Sequence, residues 1–367
     1  MDKERKKRLT YSLLIPVLSI LAGLIVTAFL VLAADKSPLQ AYRVLFESGF
    51  SCQSLQRCTF LTTLERATPL ILTGLSALVA FRTGIFSLGQ EGQMMLGAVM
   101  AAWLGWQLQL PYVIHPIVIL LAAMAIGGAY GFIPGYLKVK LGVNEIISTI
   151  MLNEIAILFL EWAVNFPLRA EQARTAHSYT IHETAWLPSF LPGSRWGVGF
   201  VIAMLMAVGV YFLLWRTSTG YEQRMSGNAP WFAKFGGIKN EKAALRAMVI
   251  SGALAGLAGA IEVMGVNRRI ITGYSVGLGF DGLSVAILGQ THPVGVVIVA
   301  ILIAGIRLGA QLGLQIQMRL PRELGGVIIA FIILFVATEK LFVNGLNWFE
   351  GLTDKIKGKK PIEEGSE

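Results

Sequence analysis

Two short stretches of this sequence share one order of residues. Leu88-Gly89-Gln90-Glu91-Gly92 and Leu278-Gly279-Phe280-Asp281-Gly282 each run leucine, glycine, a variable residue, an acid and a second glycine. A Thr-Gly pair precedes each, Thr83-Gly84 and Thr272-Gly273, and each lies beside an apolar segment (67–81 and 281–290) too short to cross a bilayer. An ionisable side chain in apolar surroundings costs at least about 2.5 kcal/mol. Glu91 and Asp281 therefore either line a polar pathway or cap a helix start that follows glycine. Glycine-interrupted segments at matching places in two halves point to a solute site near the bilayer midplane. Unwound backbone is tolerated there only where it is buried or faces water. The chemistry on offer is hydrogen bonding to a polar solute, with Gly89, Gln90, Glu91, Phe280 and Asp281 as candidates.

A further polar cluster, Asn144, Glu145, Ser148, Thr149, Asn153 and Glu154, opens the apolar block 143–163. Glu145, Thr149 and Asn153 recur every four residues and share one helix face. Such a stripe either bonds helix to helix or faces the solute. His115, His177, His182 and His292 are scattered, so no metal site is expected. The chain has no G-x-x-x-x-G-K-[ST] phosphate loop and no H-E-x-x-H motif, so neither ATP binding nor zinc hydrolysis is expected of it.

The elements that must hold these residues follow from composition. Of 367 residues, 54% are hydrophobic and 14% charged, with a mean hydropathy of +0.63. A soluble domain carries about 25% charged residues. That excludes a soluble enzyme, a disordered protein and a small disulfide-stapled module. The net charge of +9 could suggest a nucleic-acid binder, but the basic residues sit between apolar blocks, as a membrane protein requires on its cytoplasmic side. No nucleic acid is expected.

A helix needs about 20 apolar residues to span the hydrocarbon. Tyr11 to Ala33 meets this behind a basic start (1–10), and its length favours an uncleaved span over a signal peptide. Further apolar blocks fall at 67–81, 86–108, 112–137, 143–163, 197–215, 247–266, 281–290, 293–313 and 323–343. The expectation is an all-α polytopic membrane protein of about ten spanning or partly spanning helices in two related halves. Its transmembrane domain covers 11–345, followed by a charged tail at 346–367. Lys and Arg gather at the start, at Lys138 and Lys140, and in loop 216–246, which places both termini in the cytoplasm. Cys52 and Cys58 then lie outside, where they can pair or remain two thiols.

Loop 216–246 carries its own signals. Asn228-Ala229-Pro230 reads as a helix start, with Asn228 as cap and Pro230 in the first turn, and Gly236-Gly237 ends the helix soon after. Between them stand Trp231, Phe232 and Phe235 on the water side, either resting on the membrane or forming a knob for a soluble partner. The run Ser251-Gly252-Ala253-Leu254-Ala255-Gly256-Leu257-Ala258-Gly259-Ala260 places small residues where helices can pack backbone to backbone.

These residues together resemble the permease subunits of bacterial ABC importers for branched-chain amino acids, ribose-type sugars and nucleosides. The run from Arg216 to Ala260 carries the family likeness. Phe86 to Gln93, Asn144 to Asn153 and Gly279 to Gly289 resemble its nucleoside and simple-sugar branch. Trp231-Phe232 and Glu154 depart from the family's usual residues. The resemblance spans about 11 to 345. It implies a bacterial inner-membrane subunit forming the path for a nucleoside or simple sugar. It also implies an ABC ATPase subunit that uses the ATP, a second permease as heterodimer partner, and an extracytoplasmic binding lipoprotein. The coupling helix on the ATPase maps onto Asn228 to Ile238. The rival reading is a secondary transporter driven by protons or sodium through Glu91, Glu145 or Asp281. It leaves the short aromatic helix unexplained.

Overall fold

The computed structural model describes residues 25–337 apart from 30, 53–57, 172–174, 192–193, 272, 275–276 and 322. The basic start, most of the first expected span, Thr272, the end of the last span and the charged tail lie outside the described residues. In chain order the helices are α1 (Pro38–Phe50), α2 (Thr59–Arg82), α3 (Gln90–Gln107), α4 (Ile114–Leu141), α5 (Glu145–Asn165), α6 (Val198–Arg216), α7 (Ser218–Asn228), α8 (Pro230–Phe235), α9 (Asn240–Ile261), α10 (Leu278–Leu288), α11 (Pro293–Gly309) and α12 (Glu323–Ala337). Two of them run on as π-helix, α9 through Glu262–Asn267 and α11 through Ala310–Gln317. Residues 25–29 and 31–33 are also helical. Among the described residues the only β pairing is isolated bridges, so the fold is all-α.

Six helices are long and apolar enough to cross a membrane: Thr59–Arg82, Ile114–Leu141, Glu145–Asn165, Val198–Arg216, Asn240–Asn267 and Pro293–Gln317. About ten is therefore not the count the described residues give. α3 has the length, but Gln90, Glu91 and Gln93 dilute its apolar character. The apolar run 67–81 belongs to a helix of full length, because the polar turn before it, with Glu65 and Arg66, is also helical. Only its apolar stretch is short. α10 is short in fact: eleven residues rise about 16 Å, half of the roughly 30 Å hydrocarbon.

α2 and α9 form the centre. Every residue of α2 from Ala67 to Ala80 and of α9 from Leu254 to Ile261 is buried. α2 packs on α6, α9, α10 and α11, and α9 packs on α2, α3 and α4. The small-residue run works as its spacing predicts: a Cβ on Gly97 would strike the backbone of Gly256, and one on Gly127 the backbone of Gly252. Backbone-to-backbone approach of this kind is how membrane helices gain contact without a hydrophobic drive between them. The hydroxyl of Ser76 reaches the carbonyl oxygen of Ser251 at 2.7 Å and links α2 to α9 where both are buried. α4, α5 and α6 form the outer layer, with Leu121, Leu158 and Leu205 exposed, an apolar outside suited to lipid.

α4 and α5 meet near one end. There Lys138 pairs with Glu145, and Tyr130 Oη donates to the carbonyl of Leu152 at 2.6 Å. Beyond that, α3, α4 and α5 enclose an apolar cleft of about 500 Å³ lined by Met100, Trp103, Phe159 and Trp162. One end of the bundle carries the Cys52–Cys58 disulfide and the loop 166–197. That loop is tied to the segment after α9 by Ser178 N–H to Ile270 O (2.8 Å) and by the Arg268 guanidinium 3.6 Å over the Trp186 ring. α7 and α8 lie at the opposite end.

Candidate functional site

The two L-G-x-acid-G stretches meet. Glu91, in the first turn of α3, is buried, and its carboxylate accepts the backbone N–H of Gly277 at 2.7 Å and of Gly279 at 2.5 Å. Those are unsatisfied donors at the start of α10, where partial positive charge favours an anion. Glu91 thus caps a helix far away in sequence. Gly279 approaches so closely that a Cβ there would overlap the backbone of Glu91. Asp281 turns the other way and forms a two-pronged pair with Arg307 of α11, Nη2 to Oδ1 at 2.5 Å. Phe280 is 42% exposed.

The polar stripe of α5 grips the turn that leads into α3. Asn144 caps α5 by accepting from Ile146 N–H. Thr149 Oγ1 accepts the N–H of Leu88 at 3.2 Å. Asn153 donates to the carbonyl of Leu88 at 2.7 Å and accepts the N–H of Gly92 at 2.9 Å. Glu145 ends the stripe in its pair with Lys138, and Glu154 points outward. The fold therefore gathers Gly89, Gln90, Glu91, Thr149, Asn153 and the start of α10 into one seam, with Glu145 at its margin. Both side-chain polar atoms of Gln90, and Oε1 of Gln93, are buried with no hydrogen-bond partner among the described residues. Buried polar atoms normally find a partner, so this seam has hydrogen bonds still to make.

A cavity of about 350 Å³ opens beside the seam towards the disulfide end. Its wall includes Glu65 and Arg66 from α2, Arg195 from the loop, Glu262 and Asn267 from the π-helical end of α9, and Arg307. None of these was a candidate from sequence. The available signal was Glu262, an acid inside the apolar block 247–266.

At the other end, α8 stands proud of the bundle. Trp231, Phe232 and Phe235 are 76%, 66% and 90% exposed, while Ala233 between them is buried. Asn228 is the last residue of α7 rather than the cap of α8, which starts at Pro230 after Ala229. Ala229 alone separates α7 from α8, and Asn240 does the holding: it accepts from Ser226 and donates to the carbonyl of Pro230, both at 2.9 Å. Gly236 ends the helix and Gly237 turns the chain with φ of 80°. Gly227 presses on the backbone of Arg82 and Gly84, which joins this end to the turn before α3.

A profile of the family described as branched-chain amino acid transport system, permease component, matches residues 59–337. The chain belongs to this family. It is similar to a guanosine ABC transporter permease of Bacillus subtilis, 38% identical over 90% of this chain and 94% of the relative. It is also similar to a nucleoside ABC transporter permease of Lactococcus lactis, 30% identical over 90% and 92%. A glucose ABC transporter permease of Haloferax volcanii is 28% identical over 89% and 87%. No solved structure matches the chain significantly. The chain is a permease subunit of an ABC transporter, a multi-pass membrane protein built for transport.

Proposed function

We propose that this permease carries a nucleoside inward across a bacterial cytoplasmic membrane, as half of a pore completed by a second, different permease. The observation that carries this reading is its likeness, over nine-tenths of its length, to permeases named for guanosine and nucleosides. The 28% identity to a glucose permease favours a simple sugar as the second reading. The solute passes along the seam. Gly89, Glu91, Phe280 and Asp281 shape it, Thr149 and Asn153 hold its turn, Glu145 closes its margin, and the unpartnered amide of Gln90 meets the solute. A separate ATPase binds and hydrolyses ATP and docks on α8, with Trp231, Phe232 and Phe235 as the contact and Asn228, Pro230, Gly236 and Gly237 as its frame. The exposure of three aromatic rings on a helix too short to stand alone supports that assignment, since such rings dominate binding energy at interfaces. A solute-binding lipoprotein delivers cargo at the disulfide end. That end faces outward, and both chain termini face the cytoplasm.

The test is uptake of labelled guanosine by cells lacking their own nucleoside permeases and expressing this chain with its neighbouring transporter genes. Saturable uptake that unlabelled nucleosides block and glucose does not is the expected result. Blocking by glucose alone would move the assignment to a sugar.

A further inference from the structure

The two π-helical stretches of the described chain flank one place. Glu262–Asn267 lines the cavity beside the seam, and Ala310–Gln317 holds its wall through Gln311, whose Oε1 accepts from Arg66 at 2.7 Å. π turns insert an extra residue and re-aim side chains, and they recur at functional sites. Here they aim charge inward. Glu65 and Glu262 lie within electrostatic reach of each other, and Arg66 and Arg195 within reach of both. With the Asp281–Arg307 pair, three carboxylates balance three guanidiniums, so the cavity has no net pull on an ion. Among the described residues Glu65 accepts no hydrogen bond. Glu262 uses only Oε1, which accepts from the Asn267 amide at 3.2 Å. Acceptors are therefore free on two acids of a wall that also carries guanidiniums and the apolar side chains of Leu70 and Leu278. Its volume falls in the range of small-molecule pockets, about 300–1,000 Å³. Leu278 stands between the two glycines whose amides Glu91 holds, so the floor of the cavity is the seam itself.

We propose that this cavity is an entry station that binds the vicinal ribose hydroxyls of a nucleoside before the solute reaches the seam. Glu65 and Glu262 each accept a hydrogen bond from one hydroxyl, and the base lies on the apolar side chains. Two carboxylates suit a diol because each hydroxyl donates one proton and a charged acceptor strengthens the bond. The guanidiniums of Arg66, Arg195 and Arg307 match the three carboxylates in number, which leaves no formal net charge to trap the solute. This inference rests on the nucleoside reading above.

The experiment compares uptake of guanosine with that of 2′,3′-dideoxyguanosine in the complete transporter, for the unaltered chain, E262Q and E65Q. Delivery by the binding lipoprotein is the same in all three, so its own preference cancels when variants are compared solute by solute. Each variant is expected to raise the KM for guanosine about tenfold, the worth of one hydrogen bond to a charged group. The KM for the dideoxy compound should stay within about twofold of the unaltered chain, because that solute makes no such bond. A purely structural role would shift both solutes alike. Membrane abundance is measured for each chain, and N267A replaces either variant that does not reach the membrane. Equal shifts for both solutes, or none, overturn the entry station while leaving guanosine transport standing. Absence of guanosine uptake by the unaltered chain overturns the nucleoside reading and this inference with it.

Discussion

Glu91 holds both oxygens of a buried carboxylate on backbone donors of another helix. Hydrogen bonds to a charged group contribute about 1.5–3 kcal/mol each. Glutamine at this position keeps the shape but has one acceptor oxygen, and its amide nitrogen would face an N–H. Glu91→Gln is therefore expected to lose about 2 kcal/mol of stability, read as a lower melting temperature in detergent. Gly279→Ala should lose about 1–3 kcal/mol, because the methyl meets backbone, which cannot rotate away. A melting temperature unchanged in both would mean that the clamp contributes nothing to the fold. At this scale the sequence was half legible. Residue type and spacing marked Glu91 and Asp281 as needing partners, and left cap and pathway open. Only the fold showed that Glu91 serves α10 and that Asp281 faces Arg307. Glu65 and Arg66 were hidden because they precede an apolar run and read as loop.

At the scale of elements, α8 separates into an inner and an outer face. Trp231 and Phe235 make little contact with their own chain, so Trp231→Ala with Phe235→Ala is expected to change stability by less than about 0.5 kcal/mol. The same double variant should weaken capture of the partner ATPase by at least about 2 kcal/mol, roughly thirtyfold, in a pull-down from membranes. Ala233→Leu is the converse: a larger side chain at a buried site should destabilise the loop. If the double variant captured the ATPase like the unaltered chain, α8 would not be the dock. Existence and stopping point of this helix were legible from proline and the glycine pair. Its first residue was misread because a tertiary group, Asn240, steadies the turn in place of the local Asn228. The apolar blocks likewise fixed most helix positions but understated α2, whose polar first turns are helical against an already formed bundle.

For the molecule as a whole, hydropathy and basic-residue placement made a polytopic membrane protein evident, while the expected count of about ten helices is not confirmed by the six long apolar helices among the described residues. In the function proposed above, energy comes from a partner ATPase. Liposomes holding this chain alone under a proton or sodium gradient should therefore accumulate no guanosine. Adding the second permease, the ATPase, the lipoprotein and ATP should give accumulation. Gradient-driven uptake by the chain alone would make it a secondary transporter. One feature of the seam bears on how such a machine moves. Glu91 belongs to the first motif and the amides it holds belong to the second, so the two stretches are welded at one buried carboxylate. Parting them would cost two hydrogen bonds to a buried carboxylate. α4 and α5, each packed on the core through α9 and α3, meet each other chiefly through Lys138–Glu145 and Tyr130 and part along the apolar cleft. The two matching motifs are thus one joined part of the fold, and alignments that split the chain between them divide it.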